Sequence, residues 1–211
     1  MLKKNKEIIF SICTILLIFG VGSQLVFSKG KNVASNDGVD LEYAVAKVLS
    51  EMPEITINQA KTSRVVDIES VEASMDSKKA EFRLKVQNEV SNLKNDNAYL
   101  ERTAVADTNK YLEAIQIAKE IYGVSVTQEE VNHYIDKNVT GFVNSEKEEY
   151  AKALGLSLYE LDYSFDRDFY VMDTLWDKLI PVLMERYPQE DGEDNNLYLE
   201  RIKKEFYSNS L

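Results

Sequence analysis

Two stretches of this chain specify the same helix–helix corner. In "YGVSVTQEEVNHYI", residues 122–135, Gly123 suits the left-handed backbone that follows a helix end. Thr127 can cap the next helix, and Glu130, three residues later, completes a capping box. Val126 before the cap and Val131 after it are spaced as a hydrophobic staple. The same grammar recurs in "ALGLSLYELD": Gly155 stops, Ser157 caps, Glu160 closes the box, and Leu156 and Leu161 staple. Each cap contributes about 1 kcal/mol. Stop, cap, box and staple coinciding twice constrain the chain to helices joined by tight corners.

The rest of the sequence agrees. The chain has three Pro and eight Gly in 211 residues, and from Leu41 onward its apolar residues recur at helical spacing. Leu41, Ala44, Val45, Val48, Leu49 and Met52 fall on one face of a first helix, which Pro53 ends. A second helix is expected from about Thr56 to Met75. A third is expected from Ser77 to Arg102, with Phe82, Val86, Val90, Leu93 and Leu100 inward and Lys79, Glu81, Arg83 and Lys85 on the solvent side. "TAVADTN" is weak in helix propensity and reads as a break before a fourth helix ending at Tyr122. Gly141 reads as an interruption, with Ser145 and Glu148 as a further capping box. After the second corner, Leu158, Leu161, Phe165, Phe169, Met172, Leu175, Trp176 and Leu179 form one stripe. Pro181 is expected to kink or restart that helix. Residues 187–196 are an acidic loop, and a last helix presents Leu197, Leu199, Ile202 and Phe206.

The amino terminus bounds the compartment. Lys3, Lys4 and Lys6 precede an apolar run over residues 8–27, long enough to span a bilayer and compatible with a cleaved signal peptide. Its length favours a retained anchor. The basic flank then stays in the cytoplasm and the remainder is extracytoplasmic or secreted. Cys13, the single cysteine, lacks the small preceding residues of a lipidation site and reads as a membrane-helix residue. The expected organisation is an anchor or signal over 1–28, a flexible spacer over 29–40 and one helical domain over 41–211. The chain carries −11, and residues 1–28 carry three Lys and one Glu, which leaves −13 beyond them. That charge repels phosphate backbones, so nucleic acid is not an expected partner.

Catalytic chemistry is sparse. His133 is the only histidine, beside Asn132 and Tyr134 on a helix, and reads as a surface or boundary residue. No serine elbow occurs, and zinc would lack Cys and His ligands. Acidic pairs occur at Glu129/Glu130, Glu148/Glu149 and Asp166/Asp168, and carboxylates can bind calcium. "DGEDNN" from Asp191 lacks the closing Glu of a calcium loop. No metal, cofactor or catalytic residue is expected. Aromatics are more suggestive. Most should be core, but Tyr159, Tyr163 and Tyr170 do not all fit the stripe through Phe165, Phe169 and Trp176. An exposed groove would suit adaptable peptide binding. The candidate peptide-binding set is Phe142, Tyr150, Tyr159, Tyr163, Phe169, Tyr170 and Trp176.

"YLEAIQIAKEIYGVSVTQEEVNHYIDK" and "YAKALGLSLYELDYSFDRDFYVMDTLWDKL" resemble the N-terminal helical domain of SurA- and PrsA-type chaperones. The likeness covers Tyr111 to Leu179 and consists of the Gly-x-x-Val and Leu-Gly-Leu-Ser corners with their flanking helices. It implies an all-α domain that binds unfolded or exported polypeptides outside the cytoplasm. Many members of that family also carry a parvulin-type isomerase. Here about 30 residues follow Leu179, too few for one, and its paired histidines and cysteine are missing, so no isomerase activity is expected. The alternative is a cell-surface interaction or structural protein that uses the same helices for one dedicated partner.

Overall fold

A computed structural model describes residues 40–55 and 70–208, and the described residues form helices and no strands. The domain is all-α. The apolar run 8–27 and nearly all of the spacer 29–40 lie outside the described residues. Within them, no helix is long and apolar enough to cross a membrane.

Helix α1 is Leu41–Glu51, with Ala44, Val45 and Val48 buried. Most of the helix expected from Thr56 lies outside the described residues. Its expected end differs: Ser70 is extended, and Val71–Ser74 make a single 3-10 turn. Helix α2, Ser77–Val90, starts on Asp76, whose side chain accepts from the Lys78 amide. Helix α3, Asn97–Tyr122, is continuous through "TAVADTN", so the expected break is misplaced. It falls instead in residues 91–96, where Asn92 takes a left-handed φ of 49° and Asp96 caps α3 by accepting from the Tyr99 amide. Asn and Asp tolerate that backbone and cap well, which outweighs the helical spacing across the stretch. Leu93, expected inward, is consequently exposed. Within "TAVADTN", Ala104 is fully buried against Leu84 and Leu100, which tie α3 to α2. Packing overrides the weak propensity there.

Both predicted corners are present. Gly123 and Gly155 have φ of 66° and 71°. Thr127–Glu130 and Ser157–Glu160 form complete capping boxes. Between them lie α4, Gln128–Asn138, and α5, Ser145–Leu154. Asn144, not Ser145, caps α5, accepting from the Lys147 amide. After the second corner the chain does not run as one helix. A short α6, Leu158–Glu160, leads into a π turn, Leu161–Phe165, and after Asp166 the long helix α7 runs Arg167–Arg186. Pro181 faces solvent inside α7 without ending it. Helix α8 is Asn195–Ser208. It buries Tyr198, Leu199, Ile202 and Phe206 and leaves Leu197 exposed, one position away from the expected stripe.

The described helices enclose two main apolar cores beside the small cluster of Leu84, Leu100 and Ala104. The larger joins α3, α4, α7 and α8 around Leu175, Leu179, Leu183 and Phe206. The smaller joins α1, α2 and α5 around Val45, Val48, Phe82 and Tyr150. The π turn belongs to both. Leu161 and Phe165, four apart, enter the smaller core, while Tyr163 enters the larger. A wide π turn places residues four apart on one side and the intervening residue on the other, so one short segment serves two cores.

Candidate functional site

The seven aromatics proposed as a peptide groove do not share one surface. Tyr150 is 2 % exposed in the smaller core, and Tyr163 and Trp176 are buried in the larger. These three have no face to offer a peptide in this conformation, because at helical spacing the apolar positions went to the cores. Phe169 and Tyr170 are half-buried. Phe142 and Tyr159 stand out into solvent, at 75 % and 56 % exposure. The ring of Tyr159 stacks on Tyr163 at 4.3 Å between centroids. The Tyr163 hydroxyl donates to Asp136 near the end of α4, and α4 leads into the loop bearing Phe142 and Val143. Phe142, Val143 and Tyr159 are thus carried by the α4–α5 loop and the segment that follows α5, cross-braced through Tyr163, while Tyr43, Leu93, Tyr99, Val105 and Leu197 are exposed elsewhere on the surface.

The densest polar constellation lies at the π turn, where side chains of residues 162–170 reach to three other helices. Asp162 pairs with Lys147 of α5 at 2.8 Å and accepts from the Tyr170 hydroxyl at 3.2 Å. Arg167 donates to Gln128 and Asn132 of α4, the latter at 2.8 Å. Arg83 of α2 is 3 % exposed, as deeply buried as Arg167 and Asp168. Its guanidinium grips Asp168 with both terminal nitrogens. The Nη1 atom also donates to Asp166 at 3.1 Å and to the Phe165 carbonyl at 3.4 Å. Carbon Cζ lies 4.0 Å from the Phe169 ring centroid, a cation–π contact. Lys79, one turn earlier, donates to the carbonyls of Ser164 and Phe165 at 3.4 and 3.2 Å.

Burial sets the electrostatics of this cluster. It works against the Arg83 charge, but the Asp168 and Asp166 carboxylates outweigh it and raise the guanidinium above its ordinary range. Burial lowers Lys79 and pushes Asp166 up to about 6, with Arg83 pulling the latter back. The Tyr150 hydroxyl, buried without a hydrogen-bond partner, is raised well above its usual value by the same desolvation.

No family model matches the chain, and neither does any curated protein or solved structure. The chemistry must therefore be judged from the residues. Arg83 commits its terminal nitrogens to carboxylates, and the cleft beside Arg83, Asp168 and Phe169 has an internal volume of about 10 Å³, room for about one water. A substrate has no entry there, so this arrangement holds helices together. His133 is exposed on α4, and no group of three His, Cys, Asp or Glu among the described residues is placed to hold a metal. Sequence reasoning missed Glu81 and Arg83 as interior residues, placing them on a solvated face. One signal was present: Arg83 lies three residues after Ala80 and three before Val86, at the margin of the apolar stripe.

Proposed function

We propose that this chain is a non-enzymatic helical module that binds segments of unfolded or exported polypeptides outside the cytoplasm, directed there by its apolar N-terminal run. The observation that carries this reading is the exposed Tyr159, seated on Tyr163 and braced to the helix leading into the exposed Phe142 and Val143. Large apolar side chains held out on a fixed support favour contact with another chain's apolar side chains, and aromatics supply contact area at low entropic cost. The resemblance of residues 111–179 to the helical domain of SurA- and PrsA-type chaperones supports the same reading, as does the acidic surface, which keeps a complex with an apolar client soluble.

The test uses residues 29–211, first shown by circular dichroism to be helical. Near equimolar with several unrelated unfolding proteins, this fragment suppresses their light scattering, and Phe142→Ala with Tyr159→Ala removes most of the effect. A folded fragment that suppresses none of them sinks the general-binding reading and favours a single dedicated partner.

A further inference from the structure

We propose that the junction between α2 and the π turn is a pH-responsive clamp, which holds the two cores together more firmly as the surroundings acidify. Arg83 has fewer hydrogens on one nitrogen than there are oxygens around it. Nitrogen Nη1 carries two, yet three oxygens compete for them: the Phe165 carbonyl at 3.4 Å, Asp166 at 3.1 Å and Asp168 at 3.1 Å. Asp168 also takes Nη2, so it is held by two donors while Asp166 shares one. Two carboxylates on one nitrogen repel each other, and the less firmly held one gains most from a proton. Protonated, Asp166 becomes a donor and can offer its O–H to a neighbouring acceptor. The shortage of hydrogens at Nη1 is then relieved and the carboxylate repulsion removed.

The groups facing Asp166 come from three elements. Arg83 and Lys79 face it from α2, Asp168 and Tyr170 from α7, and Tyr150 from α5. Neither tyrosine carries charge near neutral pH, since both are raised by burial. Lys79 and Arg83 favour the charged Asp166; burial and Asp168 oppose it and prevail, lifting the carboxyl from 3.8 to about 6. The raised group favours the folded state fully below its unfolded value, and that advantage is lost as pH rises through the folded one. The position of this group makes the effect more than a local one. Phe165 and Leu161 belong to the smaller core and Tyr163 to the larger, and the segment joining them ends at Asp166.

The full chain in nonionic detergent provides the test, with thermal unfolding followed by the emission of Trp176, the single tryptophan, which lies in the larger core. The unaltered chain should gain in unfolding midpoint from pH 7.5 to pH 5. Asp166→Asn should flatten that gain, by an amount equivalent to a change on the order of tenfold in the folding constant. Parallel pH profiles for the two proteins would overturn the proposal. Should Asp166→Asn fail to fold, a carbon-13 titration of the Asp166 carboxyl in the unaltered chain decides. A midpoint near 6 supports the clamp, and one in the ordinary aspartate range, about 4, refutes it.

Discussion

The hydroxyl of Tyr163 donates to the carboxylate of Asp136, fastening the π turn to the C-terminal half of α4. Burial, and then this bond, push the phenol up to about 12, so it remains a donor throughout the physiological range. Asp136 is exposed and can turn to water if the bond is lost. Tyr163→Phe should therefore cost about 1 kcal/mol, the ordinary net value of one hydrogen bond. Urea unfolding measures it, and an unchanged midpoint would mean that the bond is not formed in solution.

Arg83 should behave very differently. Replacing it with Met takes the guanidinium from Asp168 and leaves it only Lys79, 4.0 Å away, and breaking a buried pair from one side costs about 3–5 kcal/mol. Removing both charges, Arg83→Met with Asp168→Leu, should recover much of that loss. Comparing the single and double variants by urea unfolding separates the cost of the carboxylate left behind from the worth of the pair. A double variant no better than the single one would contradict this account.

The two corners offer a local measurement. Gly155 holds φ 71°, and a Cβ built there meets nothing within 4 Å. The cost of Gly155→Ala is thus backbone strain without a clash, about 1 kcal/mol. Ser157→Ala removes the acceptor of the Glu160 amide and should cost a similar amount.

Asp173 gives a pH prediction away from the clamp. Burial, reinforced by Asp177, lifts its carboxyl to about 7, although it accepts from the Tyr134 hydroxyl at 3.4 Å. The group is raised above its unfolded value, so its contribution is complete at low pH and is lost as pH rises through 7. Asp173→Asn should raise the melting temperature at pH 8 and leave it unchanged near pH 3. Equal melting temperatures at pH 8 would contradict the assignment.

Exposure separates two kinds of aromatic substitution. Phe142→Ala and Tyr159→Ala touch side chains that stand in solvent, and should weaken polypeptide binding with little loss of stability. Trp176→Ala empties part of the larger core and should cost about 3–5 kcal/mol. A large stability loss in the first pair would show that those rings serve packing.

What was legible in the sequence follows from how local its causes are. Thr127 and Ser157 cap through residues three positions away, so four-letter patterns carried the corners. The break between α2 and α3 was misplaced because propensity alone favoured "TAVADTN", while burial of Ala104 holds that stretch helical. Residues 91–96 carried their own signal in Asn92 and Asp96, which the apolar spacing masked. Arg83 was beyond local reading. Its partners Asp166 and Asp168 lie more than eighty residues further along, and a charged side chain on a helix is solvated unless such partners exist. The aromatic set divided for the same reason, since Tyr150 and Trp176 each answer to neighbours from distant helices.

The smaller core is assembled from two separated stretches of the chain: α1 and α2 on one side, Tyr150 to Phe165 on the other, with α3 and α4 between. A polypeptide that emerges amino end first therefore presents Val45, Val48 and Phe82 long before their partners exist. Until α5 and the π turn arrive, those side chains are unfolded-chain surface, open to association with other nascent chains. The late arrival of Asp166 and Asp168 at Arg83 is then the event that closes the first-made part of the molecule. Mutations at the π turn should show their earliest effect as lower yield during synthesis, ahead of any change in the finished protein.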